Sequence, residues 1–216
     1  MFENTTQQVQ PDIKIVLPGG AGLVGQNLCA RLSRSGYTNI HVIDKHQANL
    51  DTLKQVQPSI HCHFADLAEH GSWQDLIMDA DVVVMLQAQI GGLEYKDFHR
   101  NNVEASQHIL DAIKRSEKAP YLIHISSSVV ESVADDFYSR SKREQEKRVL
   151  DSGITCPILR PTLMFGWFDR KHLGWLSRFM QKVPIFPIPG HGRYIRQPLY
   201  VGDFCDIIIE CIRQRR

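Results

Sequence analysis

The sequence predicts an α/β protein built on a doubly wound parallel sheet, with a smaller and incomplete C-terminal portion facing substrate. Two observations carry this. Short apolar runs alternate with helix-length segments along most of the chain, the β-α-β-α order of a parallel sheet covered on both faces. A glycine cluster, Gly19-Gly-Ala-Gly-Leu-Val-Gly25, stands between the first apolar run and the first helical segment. In that context glycines form a tight turn that a dinucleotide can approach closely.

The elements follow in order. After a polar, Gln-rich leader over residues 1–11, Ile13-Lys-Ile-Val-Leu17 reads as the first strand. Leu23 to Ser35 reads as a helix, with Gly36 as its stop signal. Ile40 to Ile43 is the second strand, and Ile60–Phe64, Val82–Leu86, Tyr121–Ile125 and Ile154–Leu159 are further strands. Tyr95–Arg115 and Asp136–Leu150 are among the intervening helices. Composition changes after Arg160. Val183-Pro-Ile-Phe-Pro-Ile-Pro-Gly190 carries three prolines and reads as a loop or extended edge. Tyr194–Val201 then reads as a strand and Asp203–Ile212 as a helix. The expected division is a leader (1–11), a dinucleotide-binding domain (12–165) and a partial substrate-binding portion (166–216).

Bulk properties exclude several classes. The 216 residues are 43% hydrophobic and 23% charged, with a net charge of +1, so no strong field favours nucleic acid or a membrane surface. The five cysteines, Cys29, Cys62, Cys156, Cys205 and Cys211, include no C-x-x-C pair and argue against a disulfide scaffold. No apolar run reaches membrane-spanning length, and the leader lacks the pattern of a signal peptide. A cytoplasmic location is the expectation.

Gly20, Gly22 and Gly25 fit G-x-G-x-x-G, while Gly19, Gly22 and Gly25 fit G-x-x-G-x-x-G; the glycines alone leave both open. With Leu23 and Val24 they open a helix whose N-terminal N–H groups and dipole suit a pyrophosphate. Asp44 ends the second strand 19 residues after Gly25. An acid there accepts from ribose hydroxyls and repels a 2′-phosphate, which favours NAD over NADP, although Lys45 and His46 follow it. Asp66, with Leu67 beside it, meets an adenine edge or caps a helix.

Tyr138-Ser-Arg-Ser-Lys142 puts a tyrosine and a lysine at i and i+4 on one helix face. An ammonium beside a phenol favours the phenolate, making tyrosine usable as an acid or base near neutrality. Ile125-Ser-Ser-Ser128 ends the fifth strand, where ligands collect in such sheets.

With these residues in view, the chain resembles the extended short-chain dehydrogenase/reductase family, in its NAD-dependent epimerase/dehydratase branch, over residues 12–212. Pro18-Gly-Gly-Ala-Gly-Leu-Val-Gly25 is similar to its T-G-x-x-G-x-x-G, with proline for threonine. Asn102, Ser126-Ser-Ser128, Tyr138 with Lys142, Arg160-Pro161 and Arg196 match its further motifs. The resemblance implies a Rossmann fold and NAD as cofactor. It implies Tyr138 as acid/base and Lys142 on the nicotinamide ribose. Ser128, or failing it Ser127, would orient the substrate oxygen. Asn102, Ser126 and Pro161 would lie at the cofactor, and Arg196 on the diphosphate of a UDP- or dTDP-sugar. Hydride transfer from a sugar carbon would give a keto intermediate. A homodimer through the helices carrying Asn102 and Tyr138 is also implied.

The chain departs from the family pattern in three places. Val130-Glu-Ser132 stands where the family has V-Y-G. Only ten residues separate Ser128 from Tyr138. The chain stops soon after Asp203, where family members commonly continue. Atypical members of this superfamily bind a nicotinamide nucleotide without turnover, so a structural or sensing role is the alternative.

Other candidates read more plainly. His61-Cys-His63 is expected to be ordinary strand rather than a metal site. Asp135-Asp136 is expected to favour a helix start. Trp167, Phe168, Trp175 and Phe179 line a cleft or pack in the core. Arg193 joins Arg196 as a candidate phosphate ligand.

Overall fold

The computed structural model describes residues 10–183, 185, 190–193 and 195–215. Most of the leader and of the proline-rich segment lies outside the described residues. The elements run β1 (Ile15–Pro18), α1 (Leu23–Arg34), β2 (Ile40–Asp44), α2 (Gln47–Val56), β3 (His61–Phe64), α3 (Trp73–Met78) and β4 (Val82–Met85). They continue with α4 (Tyr95–Phe98), α5 (Ala105–Arg115), β5 (Tyr121–Ile125), α6 (Phe137–Asp151) and β6 (Ile158–Leu159). The last are β7 (Met164–Phe165), α7 (His172–Met180), β8 (Leu199–Tyr200) and α8 (Val201–Gln214).

Six strands form one parallel sheet in the order β3-β2-β1-β4-β5-β6. The chain winds outward from β1 in one direction, then returns to start again at β4. The switch point between β1 and β4 opens a crevice at the carboxyl ends of these strands. Successive side chains alternate between faces, and both faces are apolar. Ile15, Leu17, Ile40, Val42, Val84 and Ile123 join α1 and α2 in one buried cluster. Val16, Ile43, Val83, Met85 and Leu122 join α3, α5 and α6 in the other. This two-sided burial explains why the strands read as continuous apolar runs.

Four expectations need correction. Tyr95–Arg115 is not one α-helix, because His99–Glu104 between α4 and α5 is π-helical. The Ile154–Leu159 strand pairs only at Ile158–Leu159. Tyr194 lies outside the described residues, and among the described residues of the expected Tyr194–Val201 strand only Leu199–Tyr200 pairs, with β7 and outside the main sheet. α8 then begins at Val201, two residues early. The reason is spacing: Val201, Phe204, Cys205, Ile208, Ile209 and Ile212 make one apolar helical stripe, all buried. That stripe packs on α1 in the first cluster, although α8 was expected with the C-terminal portion. Among the described residues no helix is long and apolar enough to cross a membrane.

Candidate active site

The glycine turn sits at the switch point. Gly19 has φ +76°, and a Cβ there would lie 2.4 Å from the Gln87 backbone at the end of β4. A Cβ at Gly20 would lie 2.8 Å from the Leu17 carbonyl oxygen, and one at Gly25 only 2.1 Å from that of Gly20. Gly19, Gly20 and Gly25 are thus all positions where the backbone leaves no room for a side chain. Gly22 differs: it caps α1 without a side chain, and a Cβ there would meet only the Gly19 oxygen at 3.5 Å. Its open side leaves room above the first turn of α1, through Leu23 and Val24, where N–H groups lack intrahelical partners. The arrangement fits a pyrophosphate.

Asp44 is buried beneath this turn. Its carboxylate accepts from the Ala21 N–H at 3.2 Å and from the His46 N–H at 3.0 Å, and pairs with His46 Nδ1 at 2.9 Å. Asp66 does not cap α3, whose N-cap is Ser72. It accepts from the Ala68 N–H at 3.1 Å and is held by Arg100 at 2.8 Å and Lys45 at 3.4 Å. Burial would raise its pKa, but the Arg100 hydrogen bond, the Ala68 N–H and Lys45 together hold it below the usual range. Leu67 is buried next to it.

The serine run extends β5. The Ser126 N–H donates to the Leu159 carbonyl at 2.8 Å, and the Ser128 N–H to the carbonyl of buried Pro161 at 3.0 Å. Ser127 is extended and caps a short 3-10 turn over Ser128–Glu131. Tyr138 enters on the first turn of α6, which Asp136 caps by accepting the Ser139 N–H at 2.8 Å. The Ser127 side chain bears on the Tyr138 phenol and favours its ionised form. Ser128 opens the 3-10 segment that Ser127 caps.

The electrostatics also depart from expectation. Burial pushes the Tyr138 phenol above its usual value; Ser127 opposes this and Asp136 adds to it. Lys142 does not lower it, because its fully buried amine points elsewhere. Lys142 Nζ donates to the Ile125 carbonyl at 3.1 Å and to Gln145 Oε1. Burial pushes Lys142 down to about 7, with Glu146 opposing.

A buried polar network supports this lysine. Ser106 Oγ accepts from Gln87 Nε2 at 2.9 Å and Gln145 Nε2 at 2.7 Å, and donates to the Asn102 carbonyl at 2.6 Å. Its one donor and two acceptor sites are all used. Asn102 donates to Ser141 Oγ at 2.9 Å and to the Gln89 carbonyl at 3.1 Å, and accepts the Gln89 N–H at 2.6 Å. Glu146 accepts from Ser126 Oγ at 2.5 Å and is gripped by Arg160 through Nε and Nη2. Sequence reasoning missed Glu146, Gln145 and Ser106. Glu146 lies four residues after Lys142, a spacing that was available, but its Arg160 partner is a tertiary contact.

A groove of about 400 Å³ is lined by Trp167, Phe168, Asp169, Arg178 and Tyr200 among others. Asn27 Nδ2 on α1 donates to the Trp167 carbonyl at 2.8 Å and holds the groove there. Trp175 and Phe179 stack on each other at 5.2 Å outside its lining. Arg193 and Arg196 are exposed. His61 and His63 gather with His41 on one sheet face, His41 Nδ1 lying 3.0 Å from His63 Nε2. Among the described residues no three His, Cys, Asp or Glu form a metal-ligand group.

Comparison with known proteins agrees with this geometry. A model of the NAD dependent epimerase/dehydratase family matches residues 15–216. The chain is 27% identical over 202 residues to NADH dehydrogenase (ubiquinone) 1 alpha subcomplex subunit 9, mitochondrial, of Dictyostelium discoideum, covering 90% of this chain and 54% of that protein. It is 26% identical over 162 residues to UDP-2-acetamido-2,6-beta-L-arabino-hexul-4-ose reductase of Pseudomonas aeruginosa, covering 73% and 37%. The chain thus spans about half or less of the curated relatives it matches first. The crystal structure of UDP-glucuronic acid 4-epimerase from Bacillus cereus in complex with NAD shares the fold, with TM-score 0.75, 24% identity and coverage of 93% and 74%. The family match spans nearly the whole described chain, glycine turn and tyrosine–lysine helix included, and the chain therefore belongs to the NAD-dependent epimerase/dehydratase family.

Proposed function

We propose that this chain is the NAD-binding and catalytic portion of an oxidoreductase acting on a nucleotide sugar. The carrying observation is that α6 brings Tyr138 and Lys142 to the serine run at the carboxyl end of β5, by the crevice that the glycine turn opens. Residues 12–165 hold the cofactor and 166–216 contribute to the substrate side, where the Trp167 groove and Arg196 are candidates for the sugar nucleotide.

The glycine turn and the first turn of α1 would hold the NAD pyrophosphate, and Asp44 the adenosine ribose. When bound, NAD supplies the hydride acceptor. Tyr138 takes the proton from a sugar hydroxyl as it becomes a carbonyl. Ser127 bears on the phenol and eases its ionisation. Ser128 opens the adjacent turn and reaches substrate next. Lys142, held by the Ile125 carbonyl and Gln145, would serve the nicotinamide ribose. The named relatives that act on UDP-sugars support this substrate class.

The test is conversion of a panel of UDP- and dTDP-sugars with NAD, following sugar products and reduced cofactor. Tyr138→Phe is expected to lower turnover about 10²–10⁴-fold, the usual scale of general acid–base catalysis, and to leave NAD binding within a factor of about two. Equal turnover in wild type and Tyr138→Phe would sink the role given to the tyrosine.

A second reading has its own observation. The Tyr138 phenol is raised, and Lys142 is turned to the Ile125 carbonyl. A chain that binds NAD and never turns over is consistent with that. NAD binding with no conversion of any sugar would establish it.

A further inference from the structure

Ser106 on α5 is completely buried, where its helix meets α6 and the end of β4. Its hydroxyl has three polar neighbours, and their chemistry fixes the direction of each contact. The Asn102 carbonyl, 2.6 Å away, can only accept, so it takes the one hydroxyl proton. Towards its other two neighbours Ser106 Oγ can then only accept. The Gln87 amide at 2.9 Å and the Gln145 amide at 2.7 Å must both present N–H groups to it.

That polarity reaches Lys142. With its nitrogen on Ser106, the Gln145 amide turns its oxygen to the lysine amine, and Oε1 accepts from Nζ. The reverse orientation would set an N–H group against an ammonium. The Ile125 carbonyl accepts a second N–H at 3.1 Å. An ammonium has three, so one remains for a ligand. The same polarity costs something at Gln87, whose Oε1 is buried without a partner among the described residues. A methionine would fill that space without the cost. Gln87 fills the second acceptor site of Ser106, and its backbone lies 2.4 Å from where a Gly19 Cβ would be. One hydroxyl thus ties the end of β4, packed on the glycine turn, to the lysine of α6.

We propose that Ser106 is a positioning residue for Lys142: it fixes the Gln145 amide with its oxygen on the ammonium, so that two N–H groups are anchored and the third is left to the nicotinamide ribose. Ser106 acts through Gln145, and no proton changes owner. The assignment rests on the role proposed above for Lys142 and deepens it. The charged and titratable groups that bear on the amine are Glu146 on α6, with Arg160 behind it, and His124 on β5. Tyr138 lies one turn earlier on the same face of α6. All of them are kept in the variants of Ser106 and Gln145 that test the assignment.

The test is a pH titration of the whole chain without cofactor, labelled with ε-13C lysine. The Lys142 signal is the one missing from Lys142→Met. Ser106→Ala frees the Gln145 amide, and the charged amine loses an acceptor. Its midpoint should fall from about 7 by about half a pH unit or more, a roughly threefold change in the protonation equilibrium. Ser106→Cys keeps the volume with a weaker acceptor and should show the same fall, which covers failure of the alanine variant to fold. Ser106→Thr keeps the hydroxyl and should keep the wild-type midpoint. Gln145→Met should fall at least as far, and adding Ser106→Ala to it should change nothing more. A serine that only fills space would leave the midpoint where it is. An unmoved midpoint in Ser106→Ala or Ser106→Cys, an equal fall in Ser106→Thr, or a further fall in the double variant overturns the proposal. In wild type, the Gln145 side-chain carbonyl 13C signal should step at the Lys142 midpoint and lose that step in Lys142→Met; absence of the step also overturns it. No substrate enters these measurements. Coupling without Tyr138-dependent turnover would count against the proposed reaction alone, and turnover with an unmoved midpoint against this assignment alone.

Discussion

Glu146 shows how much one buried side chain can hold. It joins the first serine of the run, the Arg160 fork and the field around Lys142. Burial alone would raise its pKa, but the Arg160 and Ser126 hydrogen bonds bring it below the usual carboxylate range. A depressed carboxylate stabilises the fold above its unfolded pKa and loses that contribution as pH falls through the folded one. Glu146→Gln should therefore lower stability at neutral pH by about 1–3 kcal/mol, the scale of a broken charged hydrogen bond. Urea unfolding at pH 7 and in acid checks this: the gap from wild type should narrow in acid. Gly25→Ala drives a Cβ to 2.1 Å from the Gly20 oxygen, backbone against backbone. NADH fluorescence titration should show at least tenfold weaker binding, about 1.4 kcal/mol. Tyr138 and Lys142 were legible in the sequence because i and i+4 share a face in any helix. The partners of Lys142 were not: one is Gln145, whose orientation is set by Ser106 on another helix.

At the scale of elements, β2 and β3 form a titratable edge. His41 stacks between His61 and His63, with ring centroids 4.7 and 5.2 Å away. Burial first, then Lys14 and the two histidines, push His41 from 6.5 down to about 4, and His63 is lowered as well. The unfolded chain then binds more protons than the folded one between those values, so stability falls as pH drops from 6.5 towards 4. Thermal unfolding across that range should show a falling Tm in wild type and a flatter profile in His41→Phe; identical slopes would remove the histidines from the explanation. The His-Cys-His strand was legible, but its third histidine came from sheet order. The π-helical segment was hidden for a similar reason: an apolar period cannot register a widened turn, and here the turn carries Asn102 to the Gln89 loop and Ser141.

Across the whole molecule, the doubly wound sheet was legible because burial on both faces makes each strand a continuous apolar run. The place of α8 was not. Its apolar stripe announces a helix and not a partner, and the partner, α1, lies far back along the chain. Phe204 in that stripe is buried. Phe204→Ala should cost about 3–5 kcal/mol, read as a lower urea midpoint with little change in slope.

That pairing of α1 with α8 sets a schedule for synthesis. α1 leaves the ribosome early, while the residues that cover its apolar face, Val201 to Ile212, leave late. At about 5–20 residues per second, the wait is roughly 10–35 s. During it the nascent chain shows one unfinished sheet face to every other chain nearby. Slower decoding of the segment before Val201 should therefore reduce soluble yield and leave the purified protein's unfolding curve unchanged.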